Sequence, residues 1–129
     1  MRTTQKKGDI AVSQAIASFT RLGYDVSIPL TESAPYDLII DINNRLIRLQ
    51  VKYTSSLLGE VDLRNIHSNS TGYIVKKYSP NAYDWLYVLK KSGEEYLYLE
   101  CMANRRSIRA SNKNLLVNVA HKQHYDINN

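Results

Sequence analysis

The most regular alternation of apolar and polar residues in the chain lies between residues 37 and 53. Two runs rich in β-branched and aliphatic side chains flank the pair Asn43-Asn44. Because asparagine tolerates positive φ, this pair predicts a two-residue type I′ turn between two antiparallel strands. The turn sets the expected register, with the pairs Ile42–Arg45, Ile40–Ile47, Leu38–Leu49 and Asp37–Gln50.

Side chains along a strand alternate between two faces, so this register also predicts which residues lie together. Asp37, Gln50 and Lys52 share one face. The opposite face is aliphatic and consists of Leu38, Ile40, Ile42, Ile47, Leu49 and Val51. The hairpin is therefore expected to hold a carboxylate, an amide and an ammonium together, on the side of a sheet that faces away from an aliphatic core.

A helical period precedes the hairpin over residues 8–22, and Gly23 supplies a stop. Its apolar positions are Ile10, Ala11, Ala15, Phe19 and Leu22. This span places Asp9 in the first turn, where a carboxylate complements the helix dipole. A first strand is expected at Tyr24–Leu30, broken or placed at an edge by Pro29.

The second half of the chain predicts further strands and a short helix. The expected elements are a strand within Leu57–Asn65, a loop at His67–Gly72, a loop at Lys76–Asn81, a hairpin of Asp84–Lys90 and Glu95–Cys101 turning at Ser92-Gly93, and a helix at Met102–Ile108. This order predicts an α/β (α+β) sandwich built on a mixed sheet flanked by helices.

Length and composition restrict the class of protein. The chain has 129 residues, which suits one domain spanning 1–129, and it carries a net charge of +5, which is compatible with a polyanionic partner. No apolar run approaches the length of a membrane span, and the first residues lack a signal-peptide core. The single cysteine, Cys101, cannot form an internal disulfide. A reducing, intracellular (cytoplasmic) setting is therefore expected.

The polar face of the hairpin suits metal-assisted phosphodiester cleavage. Carboxylate and amide oxygens, here from Asp37 and Gln50, are ligands for a hard cation such as Mg²⁺, and the backbone carbonyl of Val51 can add another. Such a cation polarises a phosphate and acidifies an attacking water. Lys52 can orient that water or stabilise developing negative charge.

These residues resemble a known motif. Pro35-Tyr36-Asp37, followed thirteen residues later by Gln50-Val51-Lys52, resembles the signature of PD-(D/E)XK nucleases. The version with glutamine is similar to the group I intron homing endonucleases of that superfamily. The resemblance implies a restriction-endonuclease-like core and an Mg²⁺-dependent (or Mn²⁺-dependent) endonuclease acting on double-stranded DNA. It implies Asp37 and Gln50 as metal ligands and Lys52 as the catalytic lysine.

One position departs from the pattern of these nucleases. They usually carry a glutamate on the first helix, and the matching position here is Val12. Asp9, one helical turn earlier, is the acid expected to substitute as a metal ligand. Without a second carboxylate, the alternative is a weak or inactive DNA-binding relic of the same fold. A Holliday-junction resolvase and a restriction-type enzyme use the same motif and remain open.

Two clusters of basic residues are candidate DNA contacts. They are Lys76-Lys77-Tyr78 and the arginines Arg105, Arg106 and Arg109, and for each the alternative is an ordinary solvated surface. Each residue of the hairpin site also has a purely structural interpretation when it is taken singly. Asp37 could be a strand-entry residue, Gln50 a hydrogen-bonded core amide and Lys52 a solvated lysine. Because a domain of this size cannot cut both strands of a duplex alone, a homo-oligomer, either a dimer or a tetramer, is expected.

Overall fold

The computed structural model describes residues 3–63, 65–69, 72–76 and 81–119, with backbone pairing alone for the segments between 65 and 76. The elements of this part of the chain are α1 (Thr3–Arg21), β1 (Asp25–Ser27), β2 (Leu38–Ile42), β3 (Arg45–Thr54), β4 (Glu60–Asp62), β5 (Asn65–Asn69), β6 (Gly72–Lys76), β7 (Trp85–Lys90), β8 (Glu95–Tyr98), β9 (Ser107–Arg109) and a 3₁₀ turn at Asn112–Asn114.

Five strands form the central sheet in the order β1-β2-β3-β7-β8. All neighbours are antiparallel except β3 and β7, which run parallel, so the sheet is mixed as predicted. Asn43 and Asn44 both have positive φ, 51° and 67°, which confirms the predicted turn. The pairs Ile42–Arg45, Ile40–Ile47 and Leu38–Leu49 are those that the turn predicts. The predicted pair Asp37–Gln50 is absent from this ladder, because β2 begins at Leu38 and the N–H of Asp37 donates to the Leu49 carbonyl.

The sheet separates two hydrophobic layers. On one face, Ala11, Ala15 and Phe19 of α1 pack against the aliphatic face of the β2–β3 hairpin, including Leu49 and Val51. On the opposite face, the two-stranded ribbon of β4 and β9 packs against β7 and β8. Since Gln50 and Lys52 pair in register with Leu86 and Val88 of this second layer, they lie on the ribbon side of the sheet.

The helix and the first strand differ from their predicted spans. α1 begins at Thr3 and not at Gly8, so Asp9 lies beyond the first turn, which contains no acidic residue. The earlier residues of α1 are largely solvent-exposed, and an exposed helical turn leaves no apolar period to detect. β1 ends at Ser27, two residues before Pro29, whose ring nitrogen has no proton to donate to a strand ladder.

Two predictions in the second half of the chain are wrong. The expected loop at residues 67–72 instead contains parts of β5 and β6, which pair antiparallel with each other. The expected helix at residues 102–108 is a turn, closed by the bond from Arg105 N–H to the Met102 carbonyl, followed by β9. β9 forms because Ile108 is buried opposite Val61 of β4.

Candidate active site

The candidate site lies beside the part of β3 that extends beyond its pairing with β2. β2 begins at Leu38, paired with Leu49, whereas β3 runs on to Thr54. In an antiparallel ladder, the N–H and C=O of alternate residues point to the same neighbouring strand. The backbone groups of Val51 therefore point towards the side on which β2 would have continued. This leaves a slot along one edge of β3.

The carboxylate of Asp37 fills part of that slot. Its Oδ2 accepts a hydrogen bond of 2.8 Å from the backbone N–H of Val51, and the N–H of Asp37 itself donates to the Leu49 carbonyl at 2.8 Å. The side chain thus replaces a missing strand as the partner of Val51. Both bonds hold the carboxylate in one position, because they tie backbone and side chain to the same strand.

The side-chain amide of Gln50 lies beside this carboxylate. One end of the amide is 3.2 Å from Asp37 Oδ2 and 3.0 Å from the Pro35 carbonyl oxygen. Both neighbours are acceptors, so the end that faces them is assigned as Nε2, donating to both. The predicted juxtaposition of Asp37 and Gln50 is present, with the Pro35 carbonyl as an additional neighbour.

Lys52 and Asp37 occupy a setting that disfavours charge. Burial lowers the pKa of Lys52, and the nearby carboxylates of Asp37 and Asp62 partly offset this effect. Burial raises the pKa of Asp37, against the hydrogen bond from Val51 and the charge of Lys52. Each group is pushed towards its neutral form while the other stabilises its charge. Such opposed shifts are typical of groups that exchange protons or bind charge at a reactive site.

Asp62 is a residue that the sequence analysis placed on a strand but not at the site. The Thr54 hydroxyl at the end of β3 donates to the Glu60 carbonyl at 2.6 Å, which anchors the start of β4. β4 then forms the ribbon with β9, on the side of the sheet that carries Lys52, and the charge of Asp62 raises the pKa of Lys52. The signal in the sequence is the short return from Thr54 to Glu60, which brings Asp62 back towards Lys52.

Arg48 lies on the same face of β3 and has a structural partner. Its Nε and NH2 groups donate to the two carboxylate oxygens of Asp84, each at 3.2 Å, and its backbone N–H donates to Asp84 Oδ2 at 2.9 Å. Its guanidinium also lies 5.8 Å from the ring centre of Tyr36. Arg48 is thus engaged in a local ion pair, next to the chain that leads into Asp37.

The helix side of the site carries no assigned carboxylate ligand. Val12 is half-buried and packs against the α1 layer of the core, while Asp9 is exposed on the same helix. Within residues 3–63, 65–69, 72–76 and 81–119, no group of three or more His, Cys, Asp and Glu side chains is placed to hold a metal ion. The oxygen donors at the slot are one carboxylate, one amide and backbone carbonyls. Oxygen atoms of these kinds are the ligands that hard cations prefer, and the set contributes a single negative charge to binding.

The two basic clusters differ in what the structure describes. All three arginines of one cluster are solvent-exposed. Arg105 and Arg106 precede β9, and Arg109 is its last residue. Nε of Arg109 donates to the Leu58 carbonyl at 3.3 Å. Arg106 lines a groove with Glu60 and Asp62, on the ribbon side of the sheet. In the other cluster, the backbone of Lys76 ends β6, and its side chain together with Lys77 and Tyr78 lies outside the described residues.

Comparisons with known proteins identify a family and a similar solved structure. Residues 2–128 match the model of a family described as PD-(D/E)XK endonuclease. Among solved structures, the chain is similar to a bacterial homing endonuclease, I-Ssp6803I, with a TM-score of 0.74 and 26% identity over 86% of this chain and 80% of that one. This likeness identifies the mixed sheet and its helix as a restriction-endonuclease-like core. No match is found among curated proteins.

Proposed function

Because this chain belongs to the PD-(D/E)XK endonuclease family, we propose that it is an Mg²⁺-dependent endonuclease that hydrolyses phosphodiester bonds at specific sequences in double-stranded DNA. The observation that carries this proposal is the convergence at one edge of β3. The Asp37 carboxylate accepts from the Val51 N–H at 2.8 Å and lies beside the Gln50 amide, and the charges of Asp37 and Lys52 act on each other. The domain that performs this reaction comprises the whole chain, residues 1–129.

The residues at the slot have separate roles. Asp37 and Gln50, with the Val51 carbonyl that points into the same slot, would hold Mg²⁺ or Mn²⁺, and Asp9 is the acid that would complete the set from α1. When bound, the cation polarises the scissile phosphate and lowers the pKa of an attacking water. Lys52 donates hydrogen bonds to that water or to a phosphate oxygen, since its charge is poorly solvated and available for the developing negative charge.

The basic surface supports DNA as the substrate. Arg105, Arg106 and Arg109 lie on the ribbon side of the sheet, which is also the side of Gln50 and Lys52. Arginines at this place are suited to contact phosphates that flank a scissile bond at the slot. Lys76, Lys77 and Tyr78 are proposed as a second contact.

The homing role rests on similarity to I-Ssp6803I, which is described as a homing endonuclease. A domain with one slot carries one set of catalytic groups, so cleavage of both strands requires at least two copies. We therefore infer a homo-oligomer, a dimer or a tetramer. No helix in the described part of the chain has the length and apolar content to cross a membrane.

A cleavage selection tests the proposed activity. The wild-type protein is incubated with a plasmid library of randomised duplex sequence and Mg²⁺, and the new DNA ends are sequenced. Asp37→Asn is the matched variant, because its amide oxygen still accepts from Val51 while the ligand charge is removed. We expect defined ends with the wild type and at least about a hundredfold fewer with D37N. Equal cleavage by D37N would refute the role of Asp37.

The second candidate function is duplex binding without cleavage, and the observation that favours it is Val12 at the helix position. In the same selection, Val12→Glu adds the missing carboxylate at a cost of about 1–3 kcal/mol, since the position is half-buried. Cleavage that appears only in V12E supports the binding function. Cleavage by the wild type that is lost in Asp9→Asn excludes it.

A further inference from the structure

The Gln50 amide has two possible orientations, and its neighbours favour one of them. The end that faces Asp37 Oδ2 at 3.2 Å and the Pro35 carbonyl at 3.0 Å meets only acceptors. With Nε2 at this end, both neighbours receive a hydrogen bond. With Oε1 there, the amide oxygen would face two other oxygens at hydrogen-bond distance with no proton between them, which is unfavourable for a half-buried group.

The two separations at the Gln50 amide are also close to the distance between neighbouring ligand atoms around a bound cation. In an octahedral site with Mg–O distances near 2.0–2.1 Å, adjacent ligand oxygens are about 2.9 Å apart. For Ca²⁺, with distances of roughly 2.3–2.6 Å, the corresponding separation is about 3.3–3.7 Å. The distances of 3.0 and 3.2 Å from the Gln50 amide lie between these two values. A cation is what would make three converging oxygens favourable.

We propose that the Gln50 amide turns over by half a rotation when a divalent cation binds, and that the Pro35 carbonyl then becomes a further cation ligand beside Asp37 and Gln50. This inference rests on the proposed function for its cation. In the cation-free protein the amide holds the slot closed by donating to Asp37 and Pro35. In the cation-bound protein its oxygen faces the same two atoms as a third ligand.

The turn has a consequence for affinity. Cation binding must break both hydrogen bonds donated by Nε2. The free energy of turning the amide therefore reduces the net affinity for the cation. A glutamate at this position has no N–H to donate and brings a second charge. Gln50→Glu is therefore expected to bind Mg²⁺ at least about tenfold more tightly, because ligand charge and the cost of reorganisation both change in its favour.

Side-chain NMR of glutamine tests the turn directly. The chain has four glutamines, Gln5, Gln14, Gln50 and Gln123, so labelling with ¹⁵N-glutamine gives four NH₂ groups. Q50E identifies the Gln50 signal by its loss. On titration with Mg²⁺ we expect the Gln50 protons to shift as they leave both acceptors. Gln14 is the internal control, since its Nε2 donates to Ser18 Oγ at 3.1 Å on α1, away from the slot.

The titration is read together with a structure containing Mn²⁺, located by its anomalous signal. The proposal requires the ion to contact Asp37, Gln50 Oε1 and the Pro35 carbonyl. The Val51 N–H is followed in a second, uniformly ¹⁵N-labelled sample. An unmoved Gln50 signal while the Val51 N–H shifts, or an ion distant from Pro35, overturns the proposal; so does the absence of any shift. The cleavage selection is independent: a turning amide without DNA cleavage removes the proposed function alone, and cleavage with an unmoved Gln50 removes this inference alone.

Discussion

Two pairs of opposite charge lie on the same face of β3, and they behave in opposite ways. Arg48 and Asp84 are each 35% exposed and are joined by a two-pronged ion pair. The hydrogen bond from Arg48 lowers the pKa of Asp84, and the same bond raises the pKa of Arg48. Asp37 and Lys52 are shifted in the reverse directions, towards their neutral forms, with burial as the main cause in both.

The difference separates a structural ion pair from the pair that we propose to be reactive. Arg48 and Asp84 satisfy each other, so their charges are stabilised and chemically inert. Asp37 accepts hydrogen bonds from Val51 and Gln50, and Lys52 is half-buried, with the carboxylates of Asp37 and Asp62 acting on its charge. The second pair therefore holds charge that a cation, a water or a phosphate can use.

The largest effect that would sharpen this comparison is expected from Lys52→Ala. Removing the ammonium at the slot should lower the rate of cleavage by about a hundredfold, because the developing negative charge loses a positioned cation. The measurement is single-turnover cleavage of the duplex recovered from the selection. Arg48→Ala is the matched control on the same face, and its rate per folded molecule should stay close to that of the wild type.

The pH dependence of the same reaction separates the two groups at the slot. Asp37 must be ionised to bind a cation, so the rate should rise with pH through a pKa above the ordinary range of aspartate. Lys52 must be charged, so the rate should fall through a pKa below that of an ordinary lysine. In Lys52→Arg the alkaline fall should move to higher pH. An unchanged alkaline fall in K52R would assign it to another group.

An intermediate effect, on stability and not on rate, is expected from Asp84→Ala. The variant loses the ion pair and the acceptor of the Arg48 N–H, and should unfold about 1–2 kcal/mol more easily, a modest figure because the pair is partly exposed. Urea unfolding measures this change. A loss of cleavage without a loss of stability would contradict the structural role of the pair.

The pH dependence of this loss follows from the sign of the shift. The folded-state pKa of Asp84 is below its unfolded value, so its contribution is complete above the unfolded pKa and disappears as pH falls through the folded one. The difference in stability between wild type and D84A should therefore shrink in acid. A difference that persists at low pH would indicate that packing, and not charge, is the source.

The smallest effect is expected from Asp62→Asn. Removing this charge should lower the pKa of Lys52 further, so the alkaline fall in rate should begin at lower pH, with a change of no more than about twofold near neutrality. Glu60→Gln is the matched control on the same strand, since its contact with Thr54 uses the backbone carbonyl. Because Asp62 is exposed, the effect should fade at high salt, and an equal shift in both variants would count against a specific role.

Much of the fold around the site follows from local signals. Two adjacent asparagines are sufficient to predict the turn, and a period of two then places Gln50 and Lys52 on one face. The hairpin of β7 and β8 is equally evident, with Gly93 at a positive φ of 99° in its turn. These elements are predictable because turn chemistry and burial pattern agree along each of them.

Other elements depend on partners that are distant in the sequence. β9 has one buried side chain, Ile108, and its pairing with β4 outweighs the helical preference of the arginines beside it. β5 and β6 contain residues typical of loops and are strands because each supplies the other's backbone hydrogen bonds. The orientation of the Gln50 amide depends on the Pro35 carbonyl, a backbone atom that a side-chain pattern does not report.

The type I′ turn at Asn43-Asn44 makes the site sensitive to a change made far from it. From Asn44 to Gln50 the strand covers about 20 Å, yet a single residue inserted in the turn would move β3 by one position against β2. Leu49 and Val51 would then face the slot, and Gln50 and Lys52 the core beneath α1. The length of this turn therefore determines the position of the proposed catalytic side chains, and libraries that vary it would behave as libraries of mutants at the proposed site.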